Sequence, residues 1–451
     1  MNFQKFNVFI ESKIKPYKKS IKVDSDKSLS IRSFLLGSIS NGVSIIKNIL
    51  ESDDVKGTIA VCRKLGIKIT KIKSNVYKIY GKGVGSFYSK ENTKLYLGNS
   101  GTLARLLIGI LSTTPNIKVK LSGDKSLNKR NMRELYRLMY KFGATFLPKN
   151  KFTFPIKLIS SAFPIGINYK AGESAQLKSA VILAGLNSYG NTTITEQVSS
   201  RNHTENLLKK NSKTIKILNK NKKKIIKVFG KNSLNAINIS IGGDPSSAAF
   251  FATLTLLNNR SSIKIKNVGL NPTRVGFYKI LKENGAKIKF INLKKHNNEI
   301  TGDIIVNSCK VGPIKTLSKM YPSTTDEYLL LFLIASLQNG VSSFKGISGL
   351  ANKESSRAYE MKKILKQIGV KSKLSRNEFK IYGKGMINPK NKKIKIENLG
   401  DHRVAMCAFI LAVLTNTNTY IKNFETVFTS FPSFLKIMKF LGAKFEIHKQ
   451  K

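Results

Sequence analysis

The sequence predicts a mixed α/β protein built from repeated helix-and-strand units. In five places an amphipathic helix ends at a glycine and a short β-like run follows directly; these glycines are Gly66, Gly143, Gly285, Gly369 and Gly442. Glycine readily adopts the left-handed conformation that ends a helix, so the chain can turn straight into a strand. Because strands alternate with helices along the chain, the fold class is α/β or α+β.

The spacing of these glycines predicts how many units there are. They recur about every 70 to 80 residues, with one gap of about twice that length. A sixth copy that lacks the glycine is expected near residue 212, where residues 207–217 keep the helix-then-strand pattern. The sequence therefore predicts six helix-and-strand units, three in each half of the chain. The turn Gly242–Pro245 is the best candidate for a crossover between two domains. The alternative, a tandem duplication with a flexible linker, would need a Pro- or Ser-rich stretch, and the sequence contains none there.

Composition indicates a globular protein that does not enter membranes. Hydrophobic residues make up 41% and charged residues 23% of the 451 residues. The longest apolar run, Tyr328 to Leu337, is about half of the ~20 residues that span a bilayer. The N-terminus lacks a signal-peptide pattern. Three cysteines far apart favour neither a disulfide framework nor a zinc site, and we expect a cytoplasmic protein.

The net charge of +54 allows two interpretations. A basic surface can bind the phosphates of RNA. Alternatively, A/T-rich codons raise the Lys, Asn and Ile content together. The lysines are spread along the whole chain, and the densest cluster, residues 209–227, lies where a helix, a turn and a strand are expected. We therefore expect weak, salt-sensitive adhesion to polyanions and no specific nucleic acid partner.

Two predicted helix starts have the features of anion sites. The turn Gly98–Thr102 leads into an apolar helix, so its backbone N–H groups lie at the positive end of the helix dipole. A second helix opens near Asp26, and Lys27, Ser28 and Arg32 are expected to converge there on a phosphate or carboxylate. A solvated helix start is the alternative for each.

Three further phrases place polar groups at helix starts. Arg130 is expected in a first helical turn, where a cation is disfavoured unless it binds an anion. Ser174 and Gln176 open an apolar helix and are available to a ligand, although Ser174 also suits a plain N-cap. Arg201 lies in an expected capping turn and is available to an anion.

The candidate carboxylates lie in the C-terminal half. Asp326 precedes an apolar helix and is our candidate base, with a helix-dipole partner as the alternative. Lys353 and Arg357 are four residues apart and are expected to share a helix face. Arg403 follows His402 at another helix start, where His402 is expected to be a structural hydrogen-bonding group. With no metal cluster, P-loop or nucleotide fingerprint, this set suits proton transfer between small anionic substrates without a cofactor.

Eight phrases, in this order, resemble the 5-enolpyruvylshikimate-3-phosphate (EPSP) synthase family, and the class II bacterial type most closely. The phrases are Gly98–Thr102, Ser174–Ala180, Gly243–Phe250, Asn271–Arg274, Asp326–Tyr328, Lys353–Ser355, Asp401–Met406 and Thr429–Pro432. They extend over almost the whole chain.

The resemblance implies a two-domain enolpyruvyl transferase fold of six βαβαββ repeats, three per domain, of the inside-out α/β barrel type. It implies that residues 1–22 and 243–451 form domain I, that residues 23–242 form domain II, and that substrates bind in the cleft. The implied reaction transfers the enolpyruvyl group of phosphoenolpyruvate to the 5-hydroxyl of shikimate 3-phosphate and releases phosphate, in the shikimate pathway. No cofactor or metal is implied, and we expect a monomer.

The resemblance also implies roles for individual residues. Catalytic roles are implied for Lys27, Asp326 and Glu354. Contacts to shikimate 3-phosphate are implied for Lys27, Ser28, Arg32, Ser174, Ala175, Gln176, Arg201, Asp326 and Lys353. Contacts to phosphoenolpyruvate are implied for Lys27, Gly101, Arg130, Gln176, Arg357 and Arg403.

The chain departs from the family pattern at a few positions. Asp24-Ser25 replaces a Pro-Gly, which puts the entry turn of the first phrase in doubt, and Asn131, Asn202 and Ser356 replace a Pro, an Asp and an Asp. Three alternatives stay open: a UDP-sugar enolpyruvyl transferase, an RNA-binding or RNA-end-processing protein, and an inactive relative. The first usually carries a loop cysteine, and the three cysteines here lie in other contexts.

We predict that glyphosate inhibits this protein, because Gly101 stands where tolerant relatives of the resembled family carry a bulkier Ala. Phosphate release at low phosphoenolpyruvate should fall as glyphosate rises into the millimolar range. Unchanged activity over that range would contradict the prediction.

Overall fold

The computed structural model describes residues 5–220, 223–385, 393–397 and 400–449. Its helices are α1 Lys27–Ser38, α2 Asp53–Lys64, α3 Gly101–Thr113, α4 Lys125–Lys129, α5 Arg133–Lys141, α6 Ala175–Gly185, α7 His203–Leu208, α8 Pro245–Leu257, α9 Gly276–Glu283, α10 Tyr321–Thr324, α11 Tyr328–Ser336, α12 Arg357–Gln367, α13 His402–Thr415 and α14 Phe434–Leu441. Short 3-10 segments occupy Ser318–Met320, Ser348–Asn352 and Phe424–Thr429.

The strands are short and evenly distributed. They are β1 Phe6–Ile10, β2 Lys18–Lys22, β3 Asn41–Lys47, β4 Lys68–Lys73, β5 Val76–Lys82, β6 Thr93–Tyr96, β7 Lys118–Ser122, β8 Thr145–Leu147, β9 Ile156–Ile159, β10 Asn168–Ala171, β11 Asn191–Glu196, β12 Ile215–Lys220, β13 Lys223–Phe229, β14 Ile239–Ser240, β15 Ser262–Gly269, β16 Ile288–His296, β17 Glu299–Asn307, β18 Lys315–Thr316, β19 Asn339–Lys345, β20 Lys371–Leu374, β21 Glu378–Lys384, β22 Lys393–Ile396, β23 Asn418–Ile421 and β24 Glu446–Lys449.

The chain divides into two compact units. Unit 1 contains Met1–Asp24, Gly243–Lys294 and Ile300–Lys451, and unit 2 contains Ser25–Gly242 and Lys295–Glu299. The division expected from the sequence ran after residues 22 and 242. The short piece Lys295–Glu299 has no counterpart in that expectation.

Unit 2 contains three four-stranded sheets in its described residues. Their strand orders are β14-β3-β5-β4, β6-β7-β9-β8 and β10-β11-β13-β12. In the second sheet β6 and β7 are parallel and joined through α3, while β8 and β9 form an antiparallel pair after α5. This is the βαβαββ pattern. The sheet that contains β3 takes its first strand, β14, from the far end of the unit.

Unit 1 repeats the same pattern, with strand orders β16-β17-β15-β2, β18-β19-β21-β20 and β22-β23-β1-β24 over its described residues. The N-terminal strand β1 lies between β23 and β24 and is antiparallel to both. Six sheets of one topology confirm the predicted α/β fold with six repeats.

The first helix of each repeat forms the centre of its unit. In unit 2 these helices are α1, α3 and α6, and in unit 1 they are α8, α11 and α13. All thirteen residues of α8 are buried. Buried helices of this kind are apolar on every side rather than amphipathic. Helices α3 and α6 approach so closely at Gly109 that an added Cβ would lie 2.5 Å from the carbonyl oxygen of Ala180.

The glycines that revealed the repeat behave as expected. Gly66, Gly143, Gly285, Gly369 and Gly442 all have positive φ, between +77° and +99°. In the sixth copy α7 ends at Leu208 and β12 begins at Ile215, as the sequence predicted for the copy without glycine. Each described helix is too short or too polar to cross a membrane.

Asp24 and Ser25, which replace the family's Pro-Gly, fit an ordered turn. The carbonyl of Asp24 accepts from the amide of Asp244 at 2.8 Å, and its carboxylate Oδ2 accepts from the amide of Ser433 at 2.9 Å. Burial raises the pKa of Asp24, the hydrogen bonds from Ser433 oppose that rise, and the nearby Asp244 adds to it, with a net upward shift.

Substitution of the repeat glycine Gly285 tests the backbone argument. Gly285 has φ +89° and no atom within 4 Å of an added Cβ, so Gly285→Ala should destabilise by about 1 kcal/mol through backbone strain alone. Gly57 also has open space but lies inside α2 without positive φ, so Gly57→Ala should stabilise by about 1 kcal/mol. Urea unfolding measures both, and equal signs for the two variants would refute the argument.

Asp24→Asn should raise stability at neutral pH. A carboxyl whose folded pKa is raised contributes stability that is complete below its unfolded pKa and lost as pH rises through the folded pKa. The amide oxygen of Asn can still accept from Ser433, so Tm should exceed that of the wild type at pH 7.5 and match it at low pH. Glu11→Gln, at an exposed position, controls for the loss of one negative charge. A lower Tm for Asp24→Asn at both pH values would contradict the prediction.

Candidate active site

A guanidinium surrounded by carboxylates is the main polar feature of unit 1. Arg357 is the first residue of α12 and only 1% exposed. Its Nε lies 2.9 Å from Asp401 Oδ2, its NH2 2.5 Å from Glu354 Oε2 and its NH1 3.5 Å from Asp326 Oδ1. Three carboxylates from three separate segments therefore meet at one cation.

Helix starts bring these carboxylates together. Asp401 is the N-cap of α13 and accepts from the Arg403 amide at 3.0 Å. Asp326 lies between α10 and α11, and Glu354 lies between the 3-10 segment Ser348–Asn352 and α12. Oxygen atoms at N-caps satisfy helix N–H groups and benefit from the helix dipole.

Arg403 approaches Asp326 from a second direction. Its NH1 donates to the carbonyl oxygen of Asp326 at 3.2 Å, and its Nε lies 3.8 Å from Asp326 Oδ1. Asp326 is thus within reach of two guanidinium groups and is 15% exposed. A carboxylate between two fixed guanidinium groups is held in place by them.

Arg357 keeps its charge despite burial. Burial alone would lower the pKa of Arg357, but the carboxylates of Asp401, Glu354 and Asp326 outweigh it, so the pKa is raised. A buried cation that stays charged can bind an anionic group of a substrate without a protonation step.

The prediction that Lys353 and Arg357 share a helix face is wrong. Lys353 caps the 3-10 segment Ser348–Asn352, and α12 begins only at Arg357. The intervening residues Glu354 and Ser355 turn instead toward the cation and its partner, since Ser355 Oγ donates to Asp401 Oδ2 at 2.9 Å. His402 is a structural hydrogen-bonding group, as predicted, with Nε2 2.9 Å from Ser430 Oγ.

In unit 2, Lys27 and Arg32 contact different groups at the start of α1. Lys27 Nζ lies 2.9 Å from the buried carboxylate of Asp54. Arg32 is buried and donates to Thr204 Oγ1 at 3.0 Å, to the carbonyl of Ser28 at 3.1 Å and to Ser179 Oγ at 3.3 Å. These contacts join Arg32 to the backbone of α1 and to two buried hydroxyl groups of unit 2.

Gly101 lies next to two guanidinium groups at the start of α3. A Cβ added at Gly101 would lie 2.7 Å from Arg130 NH1 and 2.8 Å from Arg105 NH1. Arg105 NH1 also donates to the Gly101 carbonyl at 3.1 Å and to Gln176 Oε1 at 2.9 Å. Two cations at a helix start whose cap is the neutral Ser100 form an anion-binding arrangement.

The expected position of Arg130 in a first helical turn is wrong. The turn from Gly123 leads into the five-residue helix α4, which Arg130 caps at its C-terminal end, and α5 starts at Arg133. Arg130 reaches the α3 turn through its side chain, which donates to Asn99 Oδ1. It therefore joins the same cluster by a different route.

The other predicted residues of unit 2 lie at two further segment ends. Ser174 is the N-cap of α6, where its Oγ accepts from the Leu177 amide at 3.3 Å, and Ala175 is the first helical residue. Gln176 follows and donates to Thr102 Oγ1 at 3.0 Å, which links the α6 and α3 starts. Arg201 lies between β11 and α7, whose N-cap is Asn202.

Sequence reasoning missed three residues that hold these groups. Asp54 pairs with Lys27, Arg105 pairs with Gln176, and Asp401 anchors Arg357. Asp401 carried a signal, because it precedes the His-Arg pair at a helix start. Within the described residues no group of three or more His, Cys, Asp or Glu side chains is arranged to hold a metal ion.

Comparisons with known proteins agree with this geometry. The family model for EPSP synthase (3-phosphoshikimate 1-carboxyvinyltransferase) matches residues 12–438. The 3-phosphoshikimate 1-carboxyvinyltransferase of Zymomonas mobilis is 34% identical over 441 residues, which cover 97% of each chain. The chain belongs to the EPSP synthase family.

Solved structures support the same assignment. An EPSP synthase from Acinetobacter baumannii superposes with a TM-score of 0.83 at 31% identity, covering 99% of this chain and 100% of that one. An enolpyruvyl transferase from Streptomyces tendae, at 12% identity and a TM-score of 0.73 over the full length of both chains, shows the shared fold. The predicted family, fold and enzyme class are confirmed, and the RNA-binding alternative is not favoured.

Removal of the Asp401 carboxylate should destabilise this EPSP synthase family member strongly. Asp401→Ala leaves the buried Arg357 without its Nε partner and α13 without its cap, so the free energy of unfolding should fall by about 3–5 kcal/mol. Lys363→Ala breaks the half-exposed pair with Glu360 and should change it by less than about 1 kcal/mol. Similar losses for both variants in urea unfolding would contradict the prediction.

Proposed function

We propose that this protein transfers the enolpyruvyl group of phosphoenolpyruvate to the 5-hydroxyl of shikimate 3-phosphate and releases phosphate. The observation that carries the proposal is the network of unit 1, in which Asp326 and Glu354 contact the guanidinium of Arg357. The reaction needs a base for a hydroxyl, an acid for a carbon and cations for two highly charged substrates, and this network contains all three types of group.

The addition step is assigned to the two carboxyl groups. Asp326 accepts the proton of the 5-hydroxyl while the oxygen bonds to C2 of phosphoenolpyruvate, and C3 receives a proton by way of Glu354. A tetrahedral intermediate results. Asp326 is oriented for this by Arg357 and Arg403, which lie 3.5 Å and 3.8 Å from its Oδ1.

The elimination step reverses the proton movement at carbon. Glu354 recovers the proton from C3, the bond between C2 and the phosphate oxygen breaks, and phosphate leaves with the proton that Asp326 held. Lys27 is assigned to both substrates and to stabilisation of the charge that develops on the leaving oxygen.

The remaining predicted residues are assigned to binding. Those for phosphoenolpyruvate are Lys27, Gly101, Arg130, Gln176, Arg357 and Arg403. Those for shikimate 3-phosphate are Lys27, Ser28, Arg32, Ser174, Ala175, Gln176, Arg201, Asp326 and Lys353. Support comes from the guanidinium pair beside Gly101 and from the neutral caps Ser100 and Ser174, which leave two helix starts open to anions. We also propose that the boundaries between the two domains lie after residues 22 and 242.

The oligomeric state and compartment also stay proposals. A monomer in the cytoplasm, acting on small anions and not specifically on nucleic acid, is what the sequence predicts. Light scattering after size-exclusion chromatography measures the oligomeric state. High salt is used because it screens nonspecific adhesion of a chain with a net charge of +54.

Phosphate release from purified protein tests the proposed reaction. Release should require both substrates together, and Asp326→Asn should lower kcat by about 10²–10⁴-fold, since it removes the base but keeps the shape. Asp303→Asn, at an acidic residue of the same unit that pairs with Lys264, is the matched control and should keep kcat within about twofold. Release with either substrate alone, or full activity in Asp326→Asn, would overturn the proposal.

A further inference from the structure

Four charged side chains of unit 2 form a cluster that the mechanism above does not use. We call Lys178, Glu196, Glu205 and Lys224 the buried ion cluster. Lys178 Nζ lies 2.8 Å from Glu196 Oε1 and 2.7 Å from Glu205 Oε1, and all three side chains are at most 1% exposed. Lys224 Nζ lies 3.3 Å from Glu205 Oε1 and 3.6 Å from Glu196 Oε2.

The cluster is balanced in charge. Two ammonium groups face two carboxylates, which is the condition under which charges can be buried. Such a cluster is weak evidence for stability, because well-packed apolar side chains often stabilise as well or better. A role of the cluster other than stability must therefore be inferred from its contacts with neighbouring residues.

Those contacts fix one residue of the segment between β11 and α7. The amide and hydroxyl of Ser200 both donate to Glu196 Oε1, at 2.8 Å and 2.6 Å. The Ser200 carbonyl accepts from Lys178 Nζ at 3.5 Å. All three polar groups of Ser200 thus end on the cluster, and the next residue is Arg201.

Neighbouring residues extend the link to α1. Ser179 directly follows Lys178 in the chain, and Thr204 directly precedes Glu205. Thr204 Oγ1 donates to Ser179 Oγ at 2.8 Å. Arg32 of α1 donates to both hydroxyls. Helices α1, α6 and α7 are therefore joined by two adjacent sets of polar contacts.

The joined elements carry one group of residues in the proposed function. Arg32 lies on α1, Ser174 caps α6 one turn before Lys178 with Ala175 and Gln176 between them, and Arg201 follows Ser200. All are assigned to shikimate 3-phosphate, and Gln176 is assigned to phosphoenolpyruvate as well. Arg130, assigned to phosphoenolpyruvate, contacts Asn99 and Ser126, which lie outside the cluster.

We propose that Lys178 is a positioning residue for shikimate 3-phosphate: it fixes the Arg201 segment against the start of α6 through Ser200 and Glu205. This inference rests on the proposed function. It separates the roles of the two cluster lysines, because Lys178 contacts Ser200 whereas the recorded contacts of Lys224 are to Glu196 and Glu205.

Lys178→Met and Lys224→Met form a matched pair of variants. Each removes one ammonium group from the same cluster, but only the first releases the Ser200 carbonyl. Lys178→Met should raise KM for shikimate 3-phosphate at least about tenfold, because misplacing a binding group by about 1 Å can cost up to 10²-fold. KM for phosphoenolpyruvate should stay within about twofold, as should both KM values in Lys224→Met.

A charge-balanced variant keeps the test decisive if Lys178→Met does not fold. Lys178→Met/Glu205→Gln removes one charge of each sign and leaves the pair Lys224–Glu196 in place. It should show the same rise in KM for shikimate 3-phosphate. Ser200→Ala, which loses only the hydroxyl contact, should show a smaller rise in the same direction.

The outcomes distinguish the inference from the function on which it rests. If the wild-type protein releases no phosphate from the two substrates, both the proposed function and the positioning role are refuted. With an active wild type, unchanged KM values in Lys178→Met and in the double variant would overturn the positioning role alone. Equal rises in both KM values, or equal effects of the two single lysine variants, would also overturn it, because a general loss of rigidity has no preference for one substrate.

Discussion

Burial of three apolar helices at the centre of each unit is the constraint on which the arrangement of polar groups depends. Helices α3, α8 and α13 are enclosed almost along their whole length, and the charged side chains that they carry, Arg105 and Arg403, lie near their N-terminal ends. Their unsatisfied N–H groups are concentrated at the N-terminal ends. The polar groups of the candidate site are therefore concentrated near the points where these helices begin.

The two units use these helix starts differently. In unit 2, α1 begins with Asp26, whereas α3 and α6 begin with Ser100 and Ser174, which are neutral caps and leave the positive helix ends available to anions. In unit 1, α8 and α13 begin with Asp244 and Asp401, and Glu327 precedes α11. One repeat fold thus supplies cations and open helix ends in one half, and carboxylates held by arginines in the other.

The sequence predicted the features whose causes are local. The helix-glycine-strand phrase is set by a single positive φ, so five copies were visible and the sixth could be placed by spacing. The errors at Arg130 and Lys353 arose where a helix is only a few residues long, because α4 and the Ser348–Asn352 segment end before a hydrophobic period can be recognised. The pairing of Arg357 with Asp401 and of Lys178 with Glu196 was not predictable, since these partners come from different segments of the chain.

The place of β1 between β23 and β24 has a consequence for how the chain is made. Phe6 is paired with Lys449, so the last sheet of unit 1 cannot close until residue 449 has left the ribosome. By contrast, residues Ser25–Gly242, which make up almost all of unit 2, are continuous and are complete before half of unit 1 has been synthesised. Domains fold as units during synthesis, and contacts of long sequence separation form last. Strand β1 therefore waits until β24 has been synthesised, and a variant that lacks β24 would leave that sheet with an unpaired edge.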